Sequence, residues 1–510
     1  MDIGEQAGNV WAPPAPETLV PPHGGYQPWP PPPGPAWVPR RRSGWVVGAI
    51  CALAGVLAVA GLAVVGFVLG DLVSYPSRWD PRVAELAAFV EESRGLEFDH
   101  PVHVDFLSEE AFVATVTTDE DDLSEEERTD LDNYEAVARA LGLAGAGTDL
   151  LEAENTLSGE GILAYYDSVS KRVTVRGTEM TVVTRITLVH ELVHVLQDQH
   201  FDLSRRGTFA TEAQNSAFDA VVEGDATSIE NFYYWSLPES ERAAFDAEEA
   251  AMVDEMAGGT AGVPGWMAAT AQAPYALGEP FVTALVAARG PEAVDEALRQ
   301  PPVSEEQLMD VARYLAGDGP QSVDAPALRD GDRVIEETDF GTLGWLFMLA
   351  ERIPAPDALA AADGWGGDAY VVFQRDGQVC AGATFVGDTT ADTDEMARAL
   401  ERWAEGLDQA RVRRTRSAVE LVSCDPGADA VRPAPSGDQR GAEAAMALLV
   451  TRAGTYAGVL DSGAGEAEAA CMAGGMLSEF TPAELAAPDL PPDFDARRTA
   501  LEERCATTSA

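Results

Sequence analysis

The chain has 510 residues and a formal net charge of −51, from 34 Lys+Arg against 85 Asp+Glu. That balance excludes nucleic acid as a partner and keeps the protein away from anionic membrane surfaces, because both need cationic side chains. Lys171 is the only lysine, which with the high alanine content reads as codon bias in a GC-rich genome rather than as recognition.

Residues 1–44 include the proline-rich stretch WPPPPGPAW and cannot build a core. They read as a disordered tail with polyproline II character, mainly solvated, with a cytoplasmic PxxP-recognising partner as the functional alternative. Residues 45–70, WVVGAICALAGVLAVAGLAVVGFVLG, carry no charge and are long enough to span a bilayer. Arg40, Arg41 and Arg42 precede the run, so the tail is expected to be cytoplasmic and everything after Asp71 outside. The three arginines are cancelled by Asp2, Glu5 and Glu17, so the acidic excess lies beyond the span. These features predict a single-pass protein of the cell membrane with an extracytoplasmic body.

Residues 80–94 read as a helix, and PVHVDFL at 101–107 alternates like a strand. His100 and His103 are spaced for opposite faces, which predicts surface or packing roles. Residues 123–141 read as a helix opened by Ser124 with Glu127 three residues on, a capping box. GILAYYD and KRVTVRG, joined through SVS, predict a hairpin that runs into the next helix.

That next helix holds His190-Glu191-Leu192-Val193-His194, an HExxH sequence in a chain with six histidines. About one random chain in a hundred of this composition would show the pattern by chance. Residues 181–200 contain no Gly or Pro. At about 100° per residue, Thr184, Thr187, Glu191, His194, Gln197 and Asp198 share one polar arc with His190, with Val183 as the exception inside it. Leucine, valine and isoleucine fill the opposite side. Two imidazoles four apart can grip one metal ion, and Glu191, flanking them, sits where a general base for water belongs.

A catalytic zinc usually has three protein ligands, so a third is expected downstream. Residues 211–235 predict a second helix with a polar stripe, in which Glu212, Ser216, Asp219, Thr227, Glu230 and Tyr234 lie within about 40° of Glu223. Geometry leaves Glu223, Glu230, Asp219 and Glu212 open as the ligand. Gly224 favours Glu223, since a glycine lets another backbone or a substrate approach.

HELVHVLQDQHFDL followed by VEGDAT resembles the zinc metallopeptidases of gluzincin type, and more narrowly a group of membrane-anchored bacterial and archaeal proteins. PYALGEPFV at 274–282 and GWGGDAYVVF at 364–373 fit that group, and the resemblance covers roughly residues 80–410. It implies zinc held by His190, His194 and Glu223, with Glu191 as base and a small sheet whose edge strand aligns a peptide or protein substrate. Several gluzincins place Asp four residues after the ligand Glu, to hold a metal histidine. Here that position is Thr227, and Asp225 would point about 160° away from Glu223. Asp198 and Thr227 are then the candidates for orienting a histidine. Tyr275, Tyr233 and Tyr234 are candidate donors to an oxyanion.

Residues 275–350 read as mainly helical. Beyond 355, strands at 369–374, 378–386 and 417–424 alternate with a helix near 392–406. The expected fold is α+β: a mainly helical, zincin-like domain over 76–350 with a small sheet, and a second α+β region over 355–510. Cys380, Cys424, Cys471 and Cys505 lie beyond the span, an even number in a compartment that permits disulfides. Sequence neighbours favour Cys380 with Cys424 and Cys471 with Cys505, and a four-thiolate zinc site is the weaker alternative. Two functions remain in play: a zinc peptidase, or a non-catalytic cell-surface module that keeps the fold.

Overall fold

The computed structural model describes residues 74–506 except 260–261, 430–440, 482–483 and 486–490. The tail of residues 1–44 and the apolar run 45–70 lie outside the described residues. Among the described residues no helix is long and apolar enough to cross a membrane.

The fold is α+β, built mainly of helices around two small sheets. The first helix, α1 (Ala84–Arg94), ends at Gly95, whose φ of 68° suits a residue without Cβ. The first sheet contains β1 (His103–Leu107), β2 (Ala164–Asp167) and β3 (Arg172–Arg176) in the order β1-β3-β2. The β2–β3 hairpin is the one expected. Its parallel partner β1, which pairs His103 with Arg172, arrives from about 70 residues upstream and leaves β2 as a free edge. Between them α2 (Glu125–Ala140) begins at the Ser124–Glu127 capping box.

Helix α3 (Val182–Phe201) starts directly after the hairpin, with Thr181 capping the Thr184 amide. Asp202 at its end takes a left-handed φ of 61° and turns the chain back. Helix α4 (Glu212–Ser236) returns antiparallel: Glu230 lies opposite His190, and Val222 opposite Gln197. Helix α5 (Gly265–Arg289) then crosses α4, backbone against backbone. A Cβ on Gly224 would lie 2.2 Å from the Gly278 carbonyl carbon, and one on Gly278 would lie 2.0 Å from the Ala220 oxygen. The approach that a glycine after Glu223 permits is therefore made by another helix. Pro274 and Pro280 sit inside α5 without ending it.

The second sheet is antiparallel throughout: β4 (Arg333–Thr338), β5 (Trp365–Arg375), β6 (Gln378–Gly387), β7 (Ala410–Arg414) and β8 (Val419–Cys424), in the order β4-β5-β6-β8-β7. Helix α6 (Gly341–Ala350) lies between β4 and β5 in the chain, and α7 (Thr390–Trp403) between β6 and β7. Strand β4 falls in a stretch read as helical; its burial pattern is almost wholly exposed, so no apolar alternation marks it. One buried cluster runs from Phe112 to Leu449 and includes Trp345, Phe385 and Trp403. Residues on both sides of position 350 thus share a core.

The chain closes with α8 (Ala442–Asp461), packed on α5, and with α9 (Glu466–Glu479) and α10 (Phe494–Ala506). Disulfides join Cys380 to Cys424, which face each other across β6 and β8, and Cys471 to Cys505, which tie α9 to α10. These are the pairs of sequence neighbours, and none of the four is left for a thiolate metal site.

Candidate metal centre

The polar arc of α3 is not solvated. His190, Glu191 and Gln197 are as buried as the leucines around them, Asp198 nearly so, and His190 is fully enclosed. Buried polar groups are mostly hydrogen-bonded. The partners come from α4 and from the loop that joins the two helices.

His190, His194 and Glu223 each offer a ligand atom, all within 4.8 Å of one another. Glu223 Oε2 lies 3.2 Å from His190 Nε2 and 3.1 Å from His194 Nε2. Two ligands of a tetrahedral zinc, each about 2.1 Å from the ion, stand roughly 3.3 Å apart. The donor set of two imidazoles and one carboxylate therefore fits a catalytic zinc. The ring atoms face this point because their other nitrogens are held. His190 Nδ1 lies 2.9 Å from Glu230 Oε2, and His194 Nδ1 lies 2.9 Å from Gln197 Oε1.

Glu191 is buried beside the pair, and its Oε1 makes no hydrogen bond among the described residues. Burial pushes its carboxyl up, against the opposing pull of His194 and His190. Burial would also raise Glu223, but His194, His190 and Arg206 outweigh it and hold that carboxyl well below the usual range. For His190, burial opposes the charged ring, yet the hydrogen bonds to Glu223 and Glu230 prevail and push it up to about 10. A metal ion held by these residues would take the place of that proton.

The remaining candidates separate clearly. Glu230 is the carboxylate that orients His190, not a ligand. Asp219 pairs with Arg206 at 2.8 Å. Glu212 lies in the first turn of α4, its amide donating to Asp339. Asp198 spends its hydrogen bonds elsewhere than on a histidine ring: its Oδ2 accepts from Tyr166 Oη and Lys171 Nζ, both at 2.6 Å, and its Oδ1 from the Leu203 amide. It pins the hairpin to α3. The Thr227 hydroxyl is buried without a hydrogen bond among the described residues. Asp225 is one step removed, bonded to Gln197 rather than to a ring. Of the tyrosines, Tyr234 bonds Asp246, and Tyr233 packs edge-on against Phe89. Tyr275 alone of the three lies at the centre: its ring stacks on that of His190, with centroids 6.1 Å apart. Burial, and then Glu223, push its hydroxyl well above its ordinary value, so it stays protonated.

Arg206 is a member that sequence reasoning missed. Its Nη2 donates to Glu223 Oε1 at 2.9 Å, leaving Oε2 for the shared point. Nothing local distinguishes it from Arg205, which bonds the Leu298 and Arg299 carbonyls instead. His100 stacks on Tyr75, and His103 stays in β1, both away from the centre.

A family model described as a domain of unknown function (DUF8575) matches residues 328–446. The match takes in β4–β8 with α6 and α7, and leaves every residue of the metal centre outside it. No curated protein and no solved structure matches the chain.

Proposed function

We propose that the chain is a zinc-dependent metallopeptidase held at the cell membrane by its N-terminal apolar run, with its body outside the membrane. The observation that carries this reading is the convergence of His190, His194 and Glu223 beside a buried glutamate with a free oxygen. Zinc bound there would acidify a water and polarise a carbonyl. Glu191 accepts the water's proton at Oε1 and passes it to the leaving amine; its raised pKa suits the return step. Tyr275 donates to the developing oxyanion from its protonated hydroxyl. The substrate lies along β2, an edge strand whose Tyr166 hydroxyl donates to Asp198 of α3, so that edge lies beside the helix of the centre. Export is supported by the charge-free run of residues 45–70 and by the two disulfides beyond it.

The burial of Glu191, 1% exposed, favours a second reading: a surface module that keeps the metal for structure alone. One experiment separates them. Full-length protein in detergent is expected to hold one zinc and to cleave members of a mixed peptide library. Glu191→Gln should keep the zinc and lose about 10²–10⁴-fold in hydrolysis, whereas His190→Ala or His194→Ala should lose the metal. Zinc-loaded wild type that cleaves nothing would select the second reading. Full zinc in both histidine variants would remove the site.

A further inference from the structure

The two histidines are oriented by different chemistry. His190 gives its Nδ1–H to a carboxylate, Glu230, which can only accept. His194 faces the side-chain amide of Gln197, which can accept through oxygen or donate through nitrogen. If the nitrogen faced the ring, Nδ1 would have to accept and the ring would carry its proton on Nε2. That proton would point at Glu223 Oε2, where a lone pair is needed for a metal. Something must therefore fix the amide.

The far side of Gln197 does so. Its Nε2 lies 2.9 Å from the Val222 carbonyl and 2.8 Å from Asp225 Oδ2. A carbonyl and a carboxylate both accept, so the amide nitrogen has to face them and the oxygen has to face His194. Arg94 braces Asp225 from the other side, 2.9 Å from Oδ1 and 3.1 Å from Oδ2. Arg94 is in turn held by Asp295 at 2.6 Å. The Arg94 and Asp225 side chains are 6% and 2% exposed, so the contact is made away from water. Arg94 is the last residue of α1, and Asp225 lies 131 residues further along the chain.

We infer that Gln197 is the positioning residue for His194, locked in one amide orientation by Asp225 and through it by Arg94 of α1. The inference rests on the metal-centre reading above and adds to it. The orientation of one ligand depends on a helix that belongs to neither HExxH nor the Glu223 segment. A Gln197 that only fills space in the core would leave the state of the ring unchanged when replaced by an apolar residue of similar size.

The test uses the full chain in detergent with ¹⁵N-labelled histidine and zinc alone as the probe. Wild type should show a protected Nδ1–H for both His190 and His194. Gln197→Leu should lose the His194 signal, keep that of His190, and bind zinc ten- to a hundredfold more weakly in competition with a chelator. Asp225→Asn removes the charge but keeps the shape; it should weaken zinc several-fold and broaden the His194 signal as the Gln197 amide samples both orientations. Either variant binding zinc as tightly as wild type, with the His194 signal intact, overturns the inference. If Gln197→Leu does not fold, Asp225→Asn decides by the same two measurements. If wild type binds no zinc, the metal reading fails, while the His194 signal of the metal-free protein still decides the role of Gln197: its loss in Gln197→Leu supports the inference, and its persistence overturns it.

Discussion

The α3–α4 pair and the last two helices of the chain each share an apolar cluster, but differ in what is added to it. Between α3, α4 and the loop that joins them the added contacts are directional: His190 to Glu230, Gln197 to Val222 and Asp225, Arg206 to Glu223 and Asp219. Between α9 and α10 there are a small apolar cluster of Met472, Met476, Phe480, Phe494 and Leu501, one exposed ion pair of Arg504 with Glu479, and one disulfide. Buried ion pairs contribute little net stability, because desolvation offsets their attraction, but they fix positions. A small cluster contributes some stability and fixes little, so a covalent closure completes it. The comparison teaches that the first region is built for placement and the second for retention. Disturbing one should leave the other intact.

The largest effect is expected at the helix crossing that supports the centre. Gly224→Ala pushes a methyl into the Gly278 backbone, and α4 must shift or tilt to admit it. Overpacking of this kind costs about 3 kcal/mol or more. Because Glu223 is the adjacent residue, zinc affinity should fall together with the melting temperature. A variant that melts and binds zinc like wild type would show that the crossing does not support the site. An effect of comparable size in stability, but without consequence for the metal centre, is expected from Cys471→Ser with Cys505→Ser. The lost bond spans 34 residues and should cost about 3–4 kcal/mol, confined to α9 and α10. Hydrogen exchange should quicken there while zinc affinity stays unchanged; quickened exchange in α3 would break the separation.

The smallest concerns Glu484, beside α10. Hydrogen bonds from Arg497, and then from Thr481, lower its carboxyl to about 2 from an ordinary 4.5. A depressed folded value means that its contribution is present above about 4.5 and fades as the pH falls toward about 2. Exchange in α10 should therefore quicken over that window in wild type and not in Glu484→Gln. An identical pH response in both proteins would assign no role to the Glu484–Arg497 contact.

Local order was legible where each element carries its own signal. The Ser124–Glu127 box, the hairpin before α3, the unbroken α3 and the strands β5, β6 and β8 all follow from nearby residues. Strand β4 and the parallel addition of β1 to β3 do not, because an exposed strand and a distant partner leave no pattern in the chain. The same holds within the centre. Spacing marks His190 and His194 as neighbours on one face, and it marks Glu223 and Glu230 as neighbours on another. Which glutamate meets the shared point and which meets the back of a ring depends on the axial offset between two helices. Gly224 and Gly278 set how closely the neighbouring helix approaches, and neither residue shows its partner in the sequence. Arg206 has no periodicity to reveal it, since it sits in a loop.

The contact between Lys171 and Asp198 has a consequence for chemical labelling. Lys171 carries the only side-chain amine of the chain. Its φ of 56° lies in the left-handed region that favours glycine, and its side chain, 26% exposed, reaches from the hairpin turn to the metal helix. An amine-directed acylating reagent therefore addresses one side chain, which is also the bolt between the β2–β3 hairpin and the helix behind it. Acylation would remove the positive charge and leave Asp198 with Tyr166 and the Leu203 amide as its only donors among these contacts. The extent of that single modification, read on the intact protein by mass, reports how often the hairpin lifts away from the centre.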